Sequence, residues 1–132
     1  MVLFRRVAYL IVSAALISGS HLSLAESQNS GKAAFLEDCA VCHGSDAKGR
    51  GAFTSMLRVP PPDLTTLSRL NGGEFPAAQV RRTLAGINMP GAHGTGEMPI
   101  WGRRWREDGH GSAGANARVI TVMAYLRAVQ EE

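Results

Sequence analysis

Apolar residues fall into blocks of differing period along the chain. After Arg5 and Arg6, Val7 to Ile17 is almost unbroken, with Ser13 the main interruption, and Glu26 to Ser30 is polar. Ala34, Phe35, Cys39 and Cys42 then fall close to a helical stripe, which predicts a helix over about Gly31–Val41 with Ser30 as its cap. Gly44 to Gly51 holds three glycines among polar residues and reads as a turn-rich loop. Phe53 to Leu57 suits one short helical turn. Pro60-Pro61-Pro62 forces extended backbone. Asp63 to Thr66 restarts a short helical stretch, capped by Asp63 or Thr65. Gly72 and Gly73 mark a break. A helix follows from Pro76, well placed in its first turn, to Ala85, with Val80 and Leu84 one turn apart and Gly86 as its stop. Gly86 to Gly114 is rich in glycine and is expected to be irregular. Val119, Met123 and Leu126, with Ile120 and Tyr125 beside them, predict a closing helix over about Ala115–Val129 that packs across the first.

The first block changes what counts as fold. A basic start, a short apolar run and the small residues of Ser23-Leu24-Ala25 form a secretory signal, expected to be cut after Ala25. The run is short for a spanning helix, so an uncleaved anchor is the lesser alternative, and no cysteine stands at the cleavage position to carry a lipid. Removing residues 1–25 from 132 leaves 107, enough for one domain at 26–132 with a limited core. The signal carries two of the 14 basic residues and none of the 11 acidic ones. The remainder is therefore near neutral, and the basic whole-chain balance is a poor argument for nucleic-acid binding.

The only two cysteines stand in Cys39-Ala40-Val41-Cys42-His43. Cysteines three apart on a helical turn face the same way. A histidine directly after the second makes this the pattern of covalent haem attachment: two thioether tethers and one axial ligand from a single stiff segment. A redox disulfide would normally follow a strand, and no hydrophobic strand precedes Cys39. A zinc site needs more thiolates or paired histidines, and His93 and His110 are too scattered for it. A phosphate-binding loop at 44–51 lacks the Gly-Lys-Ser/Thr ending. Phe35, one turn before Cys39, is expected in the core near the haem. A carbonyl of Pro60-Pro61-Pro62 is one candidate acceptor for the Nδ1 proton of His43, leaving Nε2 for iron. A plain rigid linker is the equal alternative.

The second iron ligand has six candidates: Met56, Met89, Met98, Met123, His93 and His110. Met98 is preferred. It lies in a loop far enough along to wrap a flat ring, precedes Pro99, and has Trp101 three positions on. Met123 belongs to a helix core, and Met56 follows the attachment motif too closely to reach the opposite face. Met89, also before a proline, is the competitor, with a histidine or an open position behind it.

With these residues in place, the sequence resembles a class I, single-haem c-type cytochrome of bacterial type. The resemblance rests on Cys-Ala-Val-Cys-His-Gly at 39–44, Pro-Pro-Asp-Leu at 61–64, Met98-Pro99-Ile100-Trp101-Gly102 and a last helix containing Tyr125-Leu126. It implies an all-α fold of a few helices around one covalent haem c. Cys39 and Cys42 match the thioether residues, His43 the proximal ligand and Met98 the distal one. It implies an electron carrier cycling Fe(III)/Fe(II), not an enzyme, although the haem subunit of a larger oxidoreductase is a second reading. Its partners would be redox proteins (a dehydrogenase, reductase or terminal oxidase). With the signal, the expected place is the periplasm, soluble, with no stable membrane insertion after cleavage. A ligand-sensing haem, if Met98 does not bind iron, and a thiol oxidoreductase, if no haem attaches, are the alternatives from other classes. The segment Arg103 to Gly114 is longer than a minimal member needs. Its arginines either steer an acidic partner, pair with the propionates or form a solvated loop; Trp101 either donates to a propionate or fills space.

Overall fold

A computed structural model describes residues 25–87 and 98–131. The expected signal at 1–25, all but its last residue, and the candidates Met89 and His93 lie outside the described residues. Among the described residues the elements are helical and none is a strand. Helix α1 occupies residues 25–38. After Cys39, α2 spans Ala40–His43, and single 3₁₀ turns follow at Thr54–Met56 and Leu64–Thr66. Helices α3 (Leu67–Leu70), α4 (Ala77–Ala85), α5 (Trp101–Trp105) and α6 (Gly111–Ala128) complete the fold.

The core forms where α1 crosses α6. A side chain at Gly31 has no room: a Cβ there would lie 1.9 Å from the carbonyl oxygen of Thr121. Hydrogen in place of Cβ lets the two backbones touch. Beside that crossing Phe35, 1% exposed, packs on Tyr125 with ring centroids 5.1 Å apart. Val122, fully buried, fills the centre with Val119, Leu126, Leu84 and Trp105. The end of the chain is tied to the proline side of the molecule. Gln130 donates to the Leu64 carbonyl and accepts from the Ser68 amide, both at 2.8 Å, and the Glu131 amide donates to the Thr65 carbonyl at 2.7 Å.

Several expectations hold and four are corrected. Asp63, not Thr65, caps its turn, accepting from the Thr65 amide at 2.8 Å. Gly86 ends α4 in the left-handed conformation (φ 75°). The first helix is already formed at residue 25, so Ser30 is an interior residue and not a cap. Residues 25–30 are mostly solvent-exposed, and polar side chains on a water-facing surface cost a helix only a few tenths of a kcal/mol each, on the order of 0.5. Pro76 stands just ahead of α4 rather than in its first turn. The third correction is the largest. Trp101 to Gly114, expected to be irregular, is helical apart from a break at Gly109 (φ 93°) and Gly111 (φ 62°). Trp101 and Trp105 share one face, Gly102 packs against Ala85 of α4, and ion pairs four residues apart join Arg103 to Glu107 and Arg104 to Asp108. Ile120, expected beside the apolar face of α6, is largely exposed, and Val122 takes the deep position.

Candidate haem site

The segment Cys39–His43 is held by its own turn and by the loop after it. The His43 and Gly44 amides donate back to Cys39 and Ala40 at 2.9 and 2.8 Å. The last carbonyls of α2, which no helix satisfies, take donors from the returning loop. Phe53 N–H reaches Val41 at 2.9 Å, Gly51 N–H reaches Cys42 at 3.0 Å and Gly49 N–H reaches His43 at 2.8 Å. Thr54 Oγ1 also donates to the Cys42 carbonyl at 3.0 Å. The glycine-rich stretch thus anchors the attachment segment, with no phosphate role needed to explain its composition. Pro61 backs the same loop: a Cβ on Gly49 would lie 2.2 Å from its carbonyl oxygen.

Two adjoining clefts open above this segment. One, about 550 Å³ with its open solvent included, is lined by Cys39, Cys42, His43, the prolines 60–62, Met98, Pro99 and Trp101 among others. The second, about 660 Å³ on the same basis, is walled by Phe35, Leu64, Leu67, Val80, Leu84, Val122 and Leu126. Cys39, His43, Pro62 and Met98 line both. An imidazole only 8% exposed therefore stands in a wall that is otherwise largely apolar, with both thiols beside it. That donor set and shape fit a large, flat apolar group carrying an iron.

The other ligand candidates stand elsewhere. Met56 is 76% exposed and lines neither cleft. Met123 packs against the core from α6 and faces a groove with Phe75 and Ile120. His110 is exposed in the turn before α6. Trp101 lines the first cleft and packs on Trp105 at 5.7 Å between ring centroids. Arg103 and Arg104 are occupied by their local carboxylates, and Arg106 is exposed.

Sequence reasoning missed a polar cluster at the rim. Asp38, adjacent to Cys39 and itself lining the first cleft, accepts from Trp105 Nε1 at 2.9 Å and from Arg118 Nε and Nη2 at 3.1 and 2.9 Å. Arg118 also pairs with Glu37 and lies over the Trp105 ring, 5.6 Å from its centroid. Burial opposes the charge on Arg118, but its hydrogen bonds to Glu37 and Asp38 outweigh it and raise its pKa. These contacts join residues 67 to 81 apart in the chain. The one signal available to a sequence reader was the acidic pair set directly before the first cysteine.

Burial, and next the charge of Asp38, push the Cys39 thiol up to about 12. Cys42 is raised less far from its ordinary value, by burial alone. A thiol so placed carries little thiolate at neutral pH and is a poor nucleophile for disulfide exchange. This counts against a thiol oxidoreductase. Among the described residues no group of three or more His, Cys, Asp or Glu side chains gathers as a metal site.

Comparison with known proteins gives three findings. The cytochrome c family model matches residues 28–129. Over 99 residues the chain is 31% identical to the subunit CcoP of the cbb3-type cytochrome c oxidase of Rhodobacter capsulatus, a match covering 75% of this chain and 28% of that protein. The chain thus spans less than a third of that relative's length. No solved structure matches.

Proposed function

The chain belongs to the cytochrome c family, and from that premise we propose that it is an exported single-haem electron carrier with His/Met-ligated iron. Electron transfer and covalent haem c are common to the family, and the chain is an electron carrier rather than an enzyme. Haem c, when bound, supplies the Fe(III)/Fe(II) couple. Cys39 and Cys42 tether it through thioethers, and His43 and Met98 hold the iron. The observation that carries this reading is that Met98, alone among the described ligand candidates, lines both clefts with His43. Leu64, Leu67, Val80 and Leu84 keep water from the ring, which with a thioether ligand favours a raised potential, the general rule for cytochromes c. Pro60, Pro61 and Pro62 line the same cleft as His43.

Met98→Ala tests the ligand assignment. A thioether is a soft, weak ligand that depends on its loop for placement. The variant is expected to lose the methionine–iron charge-transfer band, become high-spin or water-ligated when ferric, bind carbon monoxide rapidly when ferrous, and fall in potential. Met89→Ala is expected to leave all of these in place; the reverse pattern makes Met89 the ligand.

The likeness to CcoP favours a second reading, in which this chain works within a terminal oxidase complex. Stable copurification with a catalytic subunit decides between the two. Export rests on the 1–25 segment, and periplasmic fractions are expected to yield a protein whose mass is that of residues 26–132 plus one haem. Among the described residues no helix is long and apolar enough to cross a membrane.

A further inference from the structure

We propose that Arg118 is a positioning residue for the redox centre: it neutralises the Asp38 carboxylate at the rim of the cleft and so holds the reduction potential up. The inference rests on the haem reading above. Asp38 is the residue before the first tether and lines the same cleft as Cys39, His43 and Met98. Its side chain is 18% exposed and that of Arg118 is 19% exposed. Water therefore screens this pair less than it screens the ion pairs of α5, whose side chains are about half or more exposed.

A carboxylate lining that cleft would favour the more positive, oxidised state of an iron held there. Two guanidinium nitrogens and the indole N–H of Trp105 converge on a single oxygen, Oδ2. Three donors on one oxygen do more than a helix staple requires: they fix where the negative charge sits and place the positive charge directly on it. Glu37, more exposed, shares Arg118 and keeps the guanidinium oriented from its solvent side.

The test is the midpoint potential of the intact holoprotein in three variants. Arg118→Gln removes the compensating charge, and the potential is expected to fall. Asp38→Asn keeps the shape and the acceptor for Trp105 but removes the negative charge, and the potential is expected to rise. Arg118→Lys keeps the charge and is expected to stay nearer the parent than Arg118→Gln. A purely structural role predicts another pattern. Loosening the contact between α1 and α6 admits water to the cleft, which lowers the potential whichever partner is changed. Shifts of opposite sign therefore support the proposal; falls in both variants, or no shift in either, overturn it. Each variant is also checked for covalent haem and for the methionine–iron band. Absence of covalent haem from the parent protein overturns the haem reading and this inference together. Haem in place without opposed shifts overturns the inference alone. Should Arg118→Gln fail to fold, the sign for Asp38→Asn and the position of Arg118→Lys still decide.

Discussion

At the scale of single residues the attachment motif was legible and the polar cluster beside it was not. Cys39, Cys42 and His43 announce themselves by spacing, and Met98, singled out by the proline and tryptophan that follow it, lines the cleft beside them. Asp38 and Arg118 gave no comparable signal, because a contact across 80 residues leaves no mark in one sequence. Asp63 was readable, since a short acidic side chain before a helical turn has a local reason to be there. Hydrogen bonds from Thr65, first its hydroxyl and then its amide, hold the Asp63 carboxyl below the usual carboxylate range, with burial opposing them. A lowered folded-state pKa means that this contribution is full above the ordinary carboxylate value and fades as pH falls through the folded one. Asp63→Ala is expected to cost about 1 kcal/mol at neutral pH, read as a lower urea midpoint, and the difference from the parent is expected to shrink in acid.

At the scale of elements, α4 and α6 were found within a few residues, α1 begins at residue 25 rather than at Gly31, and α5 was missed. Its Gly102, Arg103 and Arg104, with Glu107 and Asp108 in the turn that follows, look like loop by composition. Its stability comes from neighbours four positions away and from the face it lays on α4, neither of which propensity alone reveals. The α1–α6 crossing was expected, but its depth was not. At Gly31 the helices meet backbone to backbone. Gly31→Ala must push them apart, and overpacking of this kind costs roughly 1–3 kcal/mol. The expected readout is a lower urea midpoint with an unchanged denaturant slope, since the surface exposed on unfolding stays the same. An unchanged midpoint means that α6 can slide without loss.

At the scale of the whole molecule, the described residues enclose a cleft whose walls are the core itself. Phe35, Val122 and Leu126 face one another and also face that space. A chain of this size has little apolar interior to spare. Cys39→Ala with Cys42→Ala is therefore expected to lose the covalent haem and with it much of the stable tertiary structure, seen as a broadened, less cooperative thermal transition. A sharp transition in that double variant shows that the polypeptide packs on its own. The contacts that complete the rim also carry a consequence in time. Trp105 and Arg118 meet residues 37 and 38 only after 67 to 81 further positions are available. Loops of that length close late, since their entropy must be overcome before the contact rewards it. Until α6 docks, the Cys39 thiol, buried in the folded chain, lies open to reaction. The speed of that docking limits how long the Cys39 thiol can be reached.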